Sequence, residues 1–164
     1  MARPTEPQVS EAERASLEEA KRASVSQLLF KCARLLNELA IARARARTGI
    51  DVRVAHTSLF PHIDLEGTRL TELARRLGVS KQAAGQLVDE LVEMGVLERV
   101  ADPEDARAKR IRFARRRGAI ALMEGLAVLG ELETEIDEKL GHRRVTALHG
   151  TLLALLGLLE RGEL

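Results

Sequence analysis

At 164 residues and 45% hydrophobic, the chain is long enough to bury one core, and its single cysteine excludes an internal disulfide framework. Lys and Arg (26) nearly balance Asp and Glu (25), giving a net charge of +1 that on its face argues against a polyanionic partner. The most apolar run, TLLALLGLLE at 151–160, falls short of the roughly 20 residues a bilayer needs, and MARPTEPQVSEAER at 1–14 lacks the apolar stretch of a secretory leader, so a cytoplasmic protein without membrane contact is expected.

Residues 1–9 read as a flexible N-terminus. Ser10 followed by Glu13 has the capping-box spacing, in which each side chain satisfies a free amide at a helix start. Leu17, Ala20, Ser24, Leu28, Cys32, Leu35, Leu36 and Leu39 then recur at steps of three and four, predicting one long helix over 10–47 that stops at Gly49. A shorter helix is expected near 52–60, ended or kinked by Pro61.

The next section changes character. Leu70, Leu73, Ala74 and Leu77 mark one face of a helix over 70–77; Gly78 tolerates positive φ, Val79 can pack beneath the turn, and Ser80 is a good N-cap for a helix running to about Met94. That helix keeps Ala84, Leu87, Val88 and Leu91 on its buried side. After Gly95 the period shortens to two in VLERV (96–100) and RIRF (110–113), with Asp102-Pro103 opening the turn between them. A helix-turn-helix followed at once by a two-stranded hairpin is therefore predicted.

The remainder is helical. Ile120, Met123, Leu126, Leu129, Leu132, Ile136 and Leu140 form one stripe; after Gly141, Val145, Leu148, Leu152, Leu155, Leu156 and Leu159 form another. The last segment holds more leucine than one narrow face can carry, which points to burial on several sides. Two arrangements provide it: a dimer interface, or a monomer in which the long first helix covers the terminal ones.

Charge is sorted along the chain. From Thr68 to Gly118 there are twelve basic against eight acidic residues; from Ala119 onward, four against eight. Arg107, Lys109, Arg110, Arg112, Arg115, Arg116 and Arg117 lie within eleven residues that include no acid. Such a cluster is either a solvated hairpin or a footprint for phosphates. The second helix of a helix-turn-helix enters the major groove, where Gln82 and Gln86 suit adenine edges and Ser80 and Lys81 suit phosphates. Gly85, costly inside a helix, marks close approach to nucleic acid or a contact between two helices. Asp89, Glu90 and Glu93 would repel phosphates and confine contact to the first two turns. On the hairpin, a carboxylate from Asp102, Glu104 or Asp105 is expected to hold the Arg107 guanidinium toward a minor groove.

The run ELARRLGVSKQAAGQLVDELVEMGVLERVADPEDARAKRIRF resembles the MarR family of winged helix-turn-helix transcriptional regulators, whose D-P-x-D-x-R wing is matched by Asp102, Pro103, Asp105 and Arg107. The resemblance implies a mainly α fold with a small β-hairpin wing and long N- and C-terminal dimerisation helices: a dimerisation helix at 10–50, a DNA-binding lobe at 51–118, and dimerisation helices at 119–164. It implies a homodimer, most simply a repressor, on a roughly palindromic double-stranded operator. The implied DNA-binding residues are Ser80, Lys81, Gln82, Gly85 and Gln86 on the recognition helix and Asp105, Arg107, Lys109 and Arg110 on the wing. One departure is visible: Phe113-Ala114 stands where the family often has Leu-Thr, removing a helix cap.

Many relatives bind a small anionic molecule between the dimer helices and the DNA lobe. Arg53, His56 and His62 are the residues available to hold such a ligand, against the alternative of surface or structural roles. Cys32 invites a redox role, but its place on the apolar stripe favours a buried, unreactive thiol. His142 and His149 lack the cluster that would complete a metal site, and Arg43, Arg45 and Arg47 read as a solvated helix end. No cofactor, metal or enzymatic constellation is found. A winged-helix module that binds protein instead of DNA is the competing class, against which the basic wing, Gln82 and Gln86 argue.

Overall fold

Ser24 interrupts what the apolar periodicity presents as one helix. In the computed structural model, which describes residues 10–164, α1 (Glu11–Ala23) ends where Ser24 adopts an extended backbone (φ −81°, ψ 117°), and α2 (Val25–Thr48) begins behind it. The Ser24 hydroxyl accepts the Gln27 amide at 3.3 Å, so it acts as an N-cap. The single helix expected over 10–47 is therefore two. A serine at a stripe position offers the backbone a competing hydrogen bond that periodicity does not register. The Ser10–Glu13 capping box is present, with Glu13 Oε2 accepting the Ser10 amide at 2.8 Å. The nine residues before it lie outside the described part.

The chain divides into two units, residues 1–39 and 40–164, with the boundary inside α2. Neither α1 nor α2 buries any residue in the protomer. Cys32 is exposed, contrary to the expectation of a buried thiol, because the apolar stripe it lies on is itself open: Leu28 and Leu36 are exposed as well.

In the second unit the chain continues through α3 (Val54–Thr57) and one turn of 3-10 helix at Phe60–His62, where Pro61 tightens the winding. The helix expected over 52–60 is thus broken into two short pieces. There follow β1 (Thr68–Arg69), α4 (Leu70–Leu77), α5 (Lys81–Glu93), β2 (Leu97–Asp102), β3 (Asp105–Phe113), α6 (Arg117–Leu140) and α7 (His142–Arg161). The sheet is antiparallel in the order β1-β3-β2, pairing Thr68 with Ile111 and Leu97 with Phe113. The expected hairpin thus gains a third strand, too short to show alternation.

Leu59, Leu73, Val88, Leu91, Val96 and Ile111 form the core between the helices and the sheet. Each such side chain contributes about 1.5–3 kcal/mol relative to exposure. Phe60 and Phe113 close one edge with ring centroids 5.5 Å apart. The first turn of α6 then passes so near the sheet that a Cβ on Gly118 would lie 2.2 Å from the Val96 carbonyl oxygen. Only glycine fits there. The α6 N-cap, Arg116, makes no side-chain cap bond, in line with the missing threonine.

Arg45 and Arg47 are exposed, as expected of a solvated helix end, yet the arginines there are ion-paired. Arg43 makes two hydrogen bonds to Glu135 at 2.5 and 2.9 Å, and Arg47 reaches Glu131 at 2.5 Å and Glu124 at 3.8 Å, so the end of α2 is braced on α6; Arg45 pairs with Asp51. Of the α6 stripe Leu132 is buried, as is its neighbour Val128, whereas Ile120, Met123, Leu126 and Leu129 stay exposed. No residue of α7 is buried. Among the described residues no helix is long and apolar enough to cross a membrane.

Candidate nucleic-acid interface

The turn between α4 and α5 is fixed by backbone hydrogen bonds. Gly78 takes the left-handed conformation (φ 67°) and its N–H donates to the Arg75 carbonyl at 3.2 Å, while the Val79 N–H reaches back to Ala74 at 3.1 Å. This Schellman closure turns the chain sharply and needs the glycine. Val79 does not pack beneath the turn as expected but is 43% exposed. The Ser80 hydroxyl accepts the Ala83 amide at 3.1 Å, so it caps α5.

Lys81, Gln82 and Gln86 then project from the start of α5, all exposed, with no acidic residue in its first turn. The first-turn amides that Ser80 leaves uncapped and the positive helix end favour an anion near this terminus. Farther along Glu93 is exposed, but two of the acids do not stand free: Asp89 pairs with Arg99 at 2.5 Å, and Glu90 is held from outside the helix. Their repulsion toward phosphates is accordingly reduced. Gly85 faces Leu70, where an added Cβ would meet the Leu70 Cδ2 at an ordinary 3.7 Å. Packing within the protomer thus gives no reason for glycine at this site.

The wing is stiffened differently from the sequence expectation. Asp102 is buried, and its carboxylate accepts Arg69 Nε at 2.5 Å, the Glu104 amide at 3.0 Å and an Arg110 guanidinium nitrogen at 3.1 Å. The Arg69 bond first, then the Glu104 amide and Arg110, hold its carboxyl well below the ordinary carboxylate range. Glu104 also pairs with Arg110 at 3.2 Å. The acids therefore grip Arg69 and Arg110, not the Arg107 guanidinium; Asp105 meets Arg107 only through its backbone N–H, at 3.0 Å. Arg110 is consequently a strut within the wing, largely withdrawn from solvent. Arg107 and Lys109 are exposed and, among the described residues, have no carboxylate in ion-pairing reach, as is true of Arg115, Arg116 and Arg117. Arg112 is neutralised by Glu98 at 2.8 Å.

Arg53, His56 and His62 do not converge on an open anion site. His56 is fully buried: its Nδ1 accepts the Arg53 backbone N–H at 3.1 Å, which leaves Nε2 to carry the proton and donate to Glu90 Oε2 at 2.7 Å. The Arg53 guanidinium bonds the same oxygen. The His56 and Arg53 bonds, in that order, lower the Glu90 carboxyl from its ordinary value. His62 stands apart, its carbonyl accepting from Arg76 at 2.9 Å. His142 pairs with Asp137, and among the described residues no cluster of three metal-ligating side chains occurs.

The sequence alone did not point to Arg69, to the link between His56 and Glu90 or to the α2–α6 brace. For the brace a signal was present: Arg43/Arg47 and Glu131/Glu135 have the same four-residue spacing, so two antiparallel helices bring them into register.

Residues 50–108, from the start of the lobe through the wing tip, match the family model for the MarR family. The segment is a MarR-family winged helix. The fold of the MarR-family regulators extends beyond it. The chain is 22% identical to a mutant MarR from Escherichia coli, with a TM-score of 0.64, over 81% of this chain and 96% of that one. A transcriptional regulator from Thermotoga maritima is 26% identical, with a TM-score of 0.52, over 83% and 96% of the two chains. The mutant E. coli MarR complexed with operator DNA is 22% identical, with a TM-score of 0.62, over 80% and 93%. No curated protein matches the chain in sequence.

Proposed function

We propose that this MarR-family chain is a sequence-specific double-stranded-DNA-binding transcriptional regulator that acts as a homodimer. The observation that carries it is the pairing pattern of the lobe's charges. Arg69, Arg99, Arg110 and Arg112 are consumed by carboxylates, whereas Lys81 at the start of α5 and Arg107 and Lys109 near the wing tip are exposed and, among the described residues, left without one. Cations withheld from internal pairing suit phosphates, while Gln82 and Gln86 beside them suit base edges in the major groove. The operator-bound E. coli MarR supports the same reading for a protein of this fold.

Dimerisation is supported by what the protomer leaves open. Leu148, Leu152, Leu153 and Leu156 of α7 and Met123 and Leu126 of α6 are all at least 39% exposed, a density of exposed apolar side chains that soluble monomers avoid. Twofold symmetry of the protein calls for a roughly palindromic operator. Occupying such a site across a promoter blocks polymerase sterically, which makes repression the simplest outcome. Release by a small anionic signal through Arg53 and His56 would require displacing the Glu90 carboxylate. Selection of binding sites from random duplexes tests the proposal: an inverted repeat is expected, and recovery of no enriched sequence would overturn it.

A further inference from the structure

Glu90 lies one turn beyond Gln86 on α5, and its two carboxylate oxygens are divided between inside and outside. Oε2 accepts from His56 and Arg53 on the α3 side of the lobe; Oε1 accepts the Gln86 side-chain amide at 3.3 Å. We propose that Glu90 is the positioning residue for Gln86, transmitting the rigidity of buried His56 to the side chain that reads the base. The proposal rests on the base-reading role given to Gln86 above.

The chemistry fixes which way Gln86 faces. A carboxylate only accepts, so the Gln86 Nε2, not its oxygen, must turn toward Glu90. One amide hydrogen is thereby engaged, and the remaining hydrogen and the carbonyl oxygen form the donor–acceptor pair that matches adenine N7 and N6. Without Glu90 the amide would swing and flip freely, offering either order to the groove. Glu90 is itself immobilised. The 0% exposed His56 is locked in one tautomer by the Arg53 backbone N–H, and the Arg53 guanidinium holds the same oxygen from the solvent side. Ordering Gln86 before DNA arrives removes part of the entropy that binding would otherwise cost.

The test uses the full chain and three variants: Glu90→Gln, Gln86→Ala and the double variant. Affinity is measured for the duplex recovered by selection and for a scrambled duplex of the same length. Glu90→Gln is expected to lower the ratio of the two affinities on the order of three- to tenfold, at the base pairs that Gln86→Ala also relaxes, and the double variant should fall no further than Gln86→Ala. Equal weakening on both duplexes would show a merely structural Glu90 and overturn the proposal, as would a wild-type ratio in Glu90→Gln when Gln86→Ala has lost preference. A wild-type ratio in Gln86→Ala is a different result: it removes the base-reading role itself, and the positioning role with it. Should Glu90→Gln fail to fold, Glu90→Asp keeps the charge toward Arg53 and His56 but shortens the reach to Gln86. The same loss of preference is expected there, and an unchanged ratio would overturn the proposal.

Discussion

Arg69 on β1 and Asp102 at the end of β2 are joined over the intervening β3, with Nε and Oδ2 2.5 Å apart, so one buried carboxylate, which also holds Arg110 of β3, ties all three strands beside the turn of the wing. Removing that carboxylate takes from Arg69 its carboxylate partner and leaves Arg110 held by the exposed Glu104 alone, and breaking a buried ion pair in this way is strongly destabilising. Asp102→Asn should lower the thermal midpoint by on the order of 5–10 °C and weaken DNA binding beyond what the midpoint explains. An unchanged midpoint by calorimetry would contradict the role.

Among the described residues Arg107 has no such partner, and its replacement should show the opposite profile. Arg107→Ala is expected to leave melting and assembly as in wild type while reducing the slope of log affinity against log salt by about 1, the loss of one phosphate or minor-groove contact. A salt titration with the slope unchanged would remove Arg107 from the interface.

Two glycines separate fold from function. Gly118→Ala must push a Cβ against the Val96 carbonyl and should cost about 3 kcal/mol, at the upper end of overpacking. Gly85→Ala meets only ordinary contact with Leu70; it should stabilise the fold by about 0.5–1 kcal/mol and yet, on the proposed docking of α5 in the major groove, weaken DNA binding. Denaturant unfolding beside a binding titration checks both. A Gly85→Ala variant that is more stable and binds as tightly as wild type would assign no interface role to the glycine.

Acid should destabilise the protein. Folding lowers the carboxyls of Asp102, Asp64, Glu72, Glu90, Glu131 and Glu135; for Glu72, Arg75 and Arg76 bring it down to about 2. A depressed folded value means the unfolded chain binds protons more readily. The stabilisation is therefore complete above the unfolded carboxyl range near 4–4.5 and is lost as pH falls through the folded values. The thermal midpoint should be nearly flat from neutrality to about pH 5 and fall steeply below it. Retention of the neutral-pH midpoint at pH 3 would contradict this.

The helix-turn-helix was legible because its signals are local: an apolar face from Leu70 to Leu77, a glycine where φ must be positive, and a serine cap each act within a few residues. The wing's position was legible from Asp102-Pro103 and the change of period. What remained hidden depends on pairing between distant segments. Ser24 reads as one more stripe position until its hydroxyl is seen to cap α2. Nothing near Arg110 reveals that Asp102 withdraws it into the wing, and nothing near Glu90 reveals His56, 34 residues earlier, as its donor. Charged residues at one surface spacing can belong to solvent, to a partner or to each other, and only the fold divides them.

Hydroxyl-radical footprinting of the full chain on its selected duplex tests the central claim most directly. Two equal protected patches related by a dyad are predicted, each with a protected minor-groove segment that disappears in Arg107→Ala. One asymmetric patch, or a footprint that Arg107→Ala leaves intact, would contradict the account.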